Sequence, residues 1–185
     1  MIRGIHHPGI TTGNLDRLLS FYRDLLGFRE ISRFGWEAGS EMSAYAGQII
    51  GIADSTARAV LLRAGNAFVE IFEYQSPAST RSDDRSLSQQ GFAHLCLDSD
   101  DVIADHARLV AAGVVFNAAP RDVGPMRLCF CRDPDGNLVE LQQITDAASD
   151  HEPLRDQGPL CRHITQLHLG KLLFEHPRDP NRAIA

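Results

Sequence analysis

The sequence predicts an α+β chain built from two βαβββ modules, and three observations carry that prediction. The first is a repeated opening. Gly4-Ile5-His6-His7-Pro8-Gly9-Ile10-Thr11-Thr12 and Gly91-Phe92-Ala93-His94-Leu95-Cys96-Leu97-Asp98-Ser99 each set a histidine three residues after a glycine, ahead of an extended run that leads into a helix. The second is a repeated close, Val69-Glu70-Ile71 and Val139-Glu140-Leu141. The third is strand alternation. Val69 and Ile71 face one way while Phe68, Glu70 and Phe72 face the other, and Val139 and Leu141 oppose Leu138, Glu140 and Gln142. Such a sheet buries its aliphatic face beneath the helices and turns its glutamates to a concave opposite face.

The elements follow in order. Residues 4–12 read as a strand, broken by Gly13-Asn14, with Asn14 as a helix N-cap. Leu15, Leu18, Leu19, Tyr22, Leu25 and Leu26 recur at helical spacing, and Gly27 stands where a helix-ending glycine belongs. Phe28 to Trp36 is the next strand. Ala38 to Asp54, rich in small residues, reads as a loop with a short helical turn. Ala57 to Arg63 is a strand, and Gly65-Asn66 turns it into Ala67 to Tyr74. The polar stretch Gln75 to Gln90 is a linker.

The second module repeats this order. Phe92 to Asp98 is a strand, and Ser99 or Asp100 caps a helix whose apolar face is Val102, His106, Leu109 and Val110, ending at Gly113. Strands are expected around Val114–Phe116, Arg127–Arg132 and Leu138–Gln143. Asp133-Pro134-Asp135-Gly136-Asn137 makes the turn between the last two.

Four residues occupy matching points of the repeat: His7, Glu70, His94 and Glu140. A single histidine on a strand is more often a packed or surface residue than a ligand. Two at matching positions, each with a matching downstream glutamate, reverse that weighting. A buried carboxylate is costly unless paired or metal-bound, so two on inward faces call for a cation. The duplicated pair suggests a pseudosymmetric cup with one divalent ion at its centre, and imidazole and carboxylate suit zinc, nickel, iron or manganese. His6 and His7 face opposite ways, and the repeat selects His7.

Composition sets bounds. With 185 residues, 43% hydrophobic and 23% charged, the chain has ample core for one large domain or two packed half-domains. Its net charge of -6 argues against a nucleic-acid partner. No run approaches a membrane span, and Met1-Ile2-Arg3-Gly4 enters a strand without the apolar core of a signal peptide, so the expected location is the cytoplasm. Cys129 and Cys131, on one strand, point the same way; with Cys96 and Cys161 they read as reduced apolar residues packed in a sheet, not as a zinc site.

Four stretches resemble the vicinal oxygen chelate superfamily, the group of glyoxalase I, bleomycin resistance proteins and extradiol dioxygenases. They are His7-Pro8-Gly9-Ile10-Thr11, Phe21-Tyr22-Arg23-Asp24-Leu25-Leu26-Gly27-Phe28, Gly91-Phe92-Ala93-His94-Leu95 and Asp133-Pro134-Asp135-Gly136-Asn137-Leu138-Val139-Glu140-Leu141. The similarity spans roughly residues 4–144. The resemblance implies paired modules, 4–74 and 91–144, within a domain 1–146, forming an open U-shaped sheet around a metal held by His7, Glu70, His94 and Glu140. A two-His, two-Glu set matches the glyoxalase I branch. Extradiol dioxygenases usually lack the carboxylate at the position of Glu70, and drug-sequestering resistance proteins generally lack the metal set. The implied activity is a metal-dependent lyase or isomerase acting on a small molecule with vicinal oxygens through an enediolate, with Glu70 or Glu140 as base. The alternatives are extradiol ring cleavage and non-catalytic small-molecule binding.

Two regions depart from the resemblance. Arg33, Arg63 and Arg127 are candidates to hold substrate carboxylates but belong to no motif. The extension 147–185 has no counterpart in the repeated pattern. Its histidines (His151, His163, His168 and His176) are irregularly spaced and read as solvated residues, while Leu160, Ile164, Leu167, Leu172, Leu173 and Phe174 supply apolar surface. Since exposed sheet edges and apolar patches are normally covered, a homodimer is expected, with this extension packed on the partner or over the cup rim.

Overall fold

The computed structural model of the chain describes residues 1–2, 4–80, 88 and 90–146; the extension and its expected apolar surface lie outside them. The first module runs β1 (Gly9–Thr12), α1 (Leu15–Leu19), β2 (Arg29–Trp36), α2 (Glu41–Ile50), β3 (Thr56–Ala64) and β4 (Ala67–Ser76). The second runs β5 (His94–Asp98), α3 (Val102–Ala111), β6 (Arg121–Val123), β7 (Met126–Arg132) and β8 (Leu138–Ile144). Each module makes its own four-stranded sheet, in the orders β1-β4-β3-β2 and β5-β8-β7-β6. The opening strand of each lies parallel to the closing strand, and the other pairings are antiparallel. The repeat in the sequence is therefore a repeat in the fold.

Local chemistry explains most boundaries. Asn14 caps α1 by accepting from the Arg17 amide at 2.9 Å, satisfying a donor that has no partner within the helix. The helix then widens into a π-helical segment, Ser20–Leu25, which the leucine spacing alone did not distinguish from an α-helix. Asp101 caps α3 by accepting from the Ala104 amide at 3.0 Å. The cap thus falls one or two residues beyond the expected Ser99 or Asp100.

Three expectations need correcting. Residues 38–54 contain a ten-residue helix, α2, where a loop with one turn was expected. Ser40 caps it on the Ser43 amide, Ser43 and Ala46 supply a small buried face, and Gly51 ends it at φ 77°. A helix whose buried face is made of Ser and Ala carries little apolar periodicity. The expected strand at Val114–Phe116 is one bridge, Phe116 to Cys131, and the fourth strand is Arg121–Val123 instead. Residues 4–12 form a strand only from Gly9, although the His6 and Pro8 carbonyls accept from the Phe68 and Glu70 amides at 3.2 and 3.0 Å. Pro8 lacks an N–H, so it cannot complete the ladder in the other direction.

One core joins the modules. Leu15, Leu18, Leu19 and Tyr22 meet Val60, Leu62, Val69 and Ile71 from the first sheet, and Val102, Leu109, Val139 and Leu141 from the second module. Cys129 and Cys131 are buried free thiols in this core, and burial pushes them up to about 11 and about 12, which keeps them protonated and inert. Val110, expected on the apolar face of α3, is 48% exposed. A polar latch also crosses between the modules. The buried Tyr22 hydroxyl donates to Asp133 Oδ2 at 3.1 Å, while Asp133 Oδ1 accepts from the Asp135 and Asn137 amides at 2.9 and 2.8 Å.

Candidate functional site

The alternation that places Val69 and Ile71, and likewise Val139 and Leu141, in the core turns Glu70 and Glu140 to the other face of each sheet. There each glutamate meets the histidine of its own module. His7 Nε2 lies 3.2 Å from Glu70 Oε2, and His94 Nε2 lies 3.0 Å from Glu140 Oε2. The backbone register is the same in both. Glu70 pairs with Gly9, two residues after His7, and Glu140 pairs with Cys96, two residues after His94. Two parallel pairings of opening and closing strands thus set the same His–Glu geometry twice.

The carboxylates are set deeper than the imidazoles. The Glu70 and Glu140 side chains are 16% and 10% exposed, against 36% and 39% for His7 and His94. Burial raises the Glu70 carboxyl above its ordinary range, and the neighbouring His7 opposes this more weakly. The structure brings the four predicted residues together as two pairs. Among the described residues, no group of three or more His, Cys, Asp or Glu side chains stands close enough to hold an ion within the chain.

The donor chemistry of each pair nonetheless suits a divalent ion, since imidazole nitrogen and carboxylate oxygen are ligands for zinc, nickel, manganese and iron. His7 is also oriented from behind. Its Nδ1 lies 2.8 Å from the Nδ1 of His6, and the His6 ring stacks on Phe68 with centroids 4.8 Å apart. A second hydrogen bond of this kind commonly orients a ligating imidazole. The repeat passed over His6 because the second module has Ala93 in its place. Cys96 shares the outer face with His94; it is exposed, and partial desolvation followed by the Glu140 charge pushes its thiol up to about 12. The arginines suggested for substrate carboxylates are engaged elsewhere. Arg33 holds Glu30 at 3.0 Å, Arg127 holds Asp122 at 2.6 Å, and Arg63 Nε donates to the Gly65 carbonyl at 2.9 Å.

A duplicated βαβββ module, with one His–Glu pair on the outward face of each sheet, defines the class of protein. The chain belongs to the Glyoxalase/Bleomycin resistance protein/Dioxygenase superfamily, whose family model matches residues 4–141. A lactoylglutathione lyase of Pseudomonas aeruginosa is 28% identical over 147 residues, covering 76% of this chain and 82% of that one. A probable lactoylglutathione lyase of Synechocystis sp. is 26% identical over 141 residues, covering 75% of this chain and 94% of that one. Among solved structures, a glyoxalase family protein from Bacillus cereus aligns over 77% of this chain and 94% of its own, with a TM-score of 0.65 at 19% identity. An antibiotic binding protein from Streptomyces aligns over 77% of this chain and 97% of its own, with a TM-score of 0.52 at 21% identity. At these identities the structures bear on the fold alone.

Proposed function

We propose that this chain is a metal-dependent lyase or isomerase of the glyoxalase I type, with His7, Glu70, His94 and Glu140 holding one divalent ion of zinc, nickel, manganese or iron. The observation that carries the reading is the matched register of the two His–Glu pairs, which a purely structural role would have no reason to duplicate. The lactoylglutathione lyases among its relatives support the reaction class. The ion supplies Lewis acidity toward a small substrate with two adjacent oxygens.

The chain's own groups do the rest. Glu70 accepts the proton from the carbon beside the substrate carbonyl, leaving an enediolate, and returns it to the neighbouring carbon. In the metal-free chain its partial burial raises its proton affinity. Glu140 is the other candidate for this role. The outer sheet faces exclude water from one side of the substrate, and His6 keeps His7 oriented.

The two pairs belong to separate sheets, so we also propose that a second copy completes the site, the first module of one chain facing the second module of its partner. Each homodimer then carries two four-ligand sites. The free buried thiols are in keeping with a reducing cytoplasm.

The test is elemental analysis of full-length protein purified without chelator. About one divalent ion per chain is expected, with loss of that ion in Glu140→Ala; binding equal to the parent would end the assignment. Loading the protein with each metal and assaying methylglyoxal–thiol adducts, 2-oxoacyl thioesters and catechols then sorts the reaction. Oxygen uptake with catechols on the ferrous form would replace the lyase reading by ring cleavage.

A further inference from the structure

We propose that the substrate carries a flat aromatic group beside its vicinal oxygens, held on a panel of Phe34, Trp36, Phe72 and Tyr74 that continues the face bearing Glu70. The panel is a product of register. Phe34 pairs with Ala59, which pairs with Phe72, and Trp36 pairs with Ala57, which pairs with Tyr74. β2 and β4 are separated by β3, about 9.6 Å apart at ordinary strand spacing. Only because alanines, 2% and 0% exposed, fill the middle strand can rings from the outer two meet above it.

They do meet. Ring centroids are 6.1 Å apart for Phe34 and Phe72, 6.4 Å for Trp36 with each of Phe72 and Tyr74, and 5.9 Å for the stacked Phe72 and Tyr74. The indole N–H of Trp36 donates to Ser55 Oγ at 2.9 Å, which fixes the ring's orientation. All four rings are half-buried, on the side of the sheet away from the core. Phe72 lies two residues from Glu70 on the same face, about 7 Å along the strand.

The surface chemistry favours a neutral ring over an anionic peptide arm. The face beside the panel presents the Glu70 carboxylate; Arg33 and Arg58 lie on the opposite face of the sheet, held by Glu30 and by Glu73 and Asp16, and Arg63 on the panel's own face donates through Nε to the Gly65 carbonyl. A ring laid on such a panel gains offset or edge-to-face contact in addition to burial. The inference rests on the reading of Glu70 as part of the reacting site.

Benzohydroxamate and acetohydroxamate test it, since both present the same two neighbouring oxygens and differ as phenyl against methyl. Each is titrated into the full chain with zinc and again with chelator, followed by calorimetry and by emission of Trp36, the single tryptophan. Benzohydroxamate is expected to bind roughly tenfold tighter, and it alone shifts the Trp36 emission. Phe34→Leu and Phe72→Leu keep apolar bulk but remove the flat ring, and each should bring the ratio to within about twofold. Equal affinities in the parent, or a ratio that survives both leucine variants, would overturn the proposal. Zinc-independent binding of both ligands with the phenyl preference intact would remove the metal reading and leave the panel standing. No binding of either ligand would defeat both.

Discussion

Glu70 carries opposing demands at the scale of one residue. Its carboxylate is held largely out of water, and burial raises its proton affinity above that of an ordinary glutamate. A carboxyl that protonates more readily in the folded than in the unfolded chain contributes stability that is fully present below its unfolded value. That contribution is lost as pH rises through the higher folded value. At neutral pH the ionised group therefore costs stability in the metal-free protein. Glu70→Gln should raise the melting temperature in chelator at pH 7, by on the order of 2 °C, and the gain should vanish toward pH 4. The same variant should lose its ion. A lower melting temperature at pH 7 would show that the contact with His7 outweighs the desolvation. His6 teaches a related lesson at this scale. Alternation along an extended run points adjacent histidines apart, yet the two rings meet through Nδ1 at 2.8 Å. Alternation gives the face of a side chain, not the reach of a ring around the strand edge.

At the scale of elements, the turn Asp133-Pro134-Asp135-Gly136-Asn137 joins β7 to β8 and also receives the Tyr22 hydroxyl from the first module. Burial, then Asp133, hold the Tyr22 phenol well above its usual range, so it remains a donor at any physiological pH. Tyr22→Phe removes a hydrogen bond to a buried carboxylate. It should cost about 1.5–3 kcal/mol of stability in urea denaturation, while leaving metal content unchanged. A variant as stable as the parent would make the latch incidental. The turn and the "FYRDLLGF" helix end were both visible in the sequence as separate motifs, but nothing in either announced that they touch. The two His–Glu pairs were readable because a repeat marks register, and register is what delivers a histidine beside a glutamate. The helix α2 was not readable, because Ser43 and Ala46 bury small side chains against its surroundings and leave Tyr45, Ile49 and Ile50 exposed, which reverses the usual helical signal. The strand near Val114 was misplaced for a comparable reason. A short apolar run looks like a strand whether it forms a ladder or a single bridge.

At the scale of the whole molecule, a site divided between two copies makes a prediction that a site within one chain does not. His7→Ala and Glu140→Ala homodimers would each carry two damaged sites. Refolded together, a mixed dimer would contain one site missing both groups and one intact site. Half of the chains being in mixed dimers, metal content and activity should recover to about one quarter of the parent, since one site in two is restored. No recovery would place all four ligands within one chain. Light scattering of the full chain beside a chain ending at Thr145 then assigns the extension. A dimer for the former and a monomer for the latter are expected, whereas dimers in both would leave residues 146–185 without the packing role proposed for them.

Among the described residues, the strand that carries His94 or follows His7 is also the outermost of its sheet, paired on one side alone and, in β1, four residues long. Such a strand detaches by local opening at a fraction of the cost of unfolding the domain. An ion bound between His7 and Glu70 would bridge this margin to the strand beside it, acting as a rivet. Amide hydrogen exchange of Gly9–Thr12 should accordingly slow when zinc is added, while exchange in the interior strand β3 stays at its metal-free rate. The rate at which a chelator strips the protein should then follow the fraying of these two edges, since an ion can leave when a margin lifts, long before the core gives way.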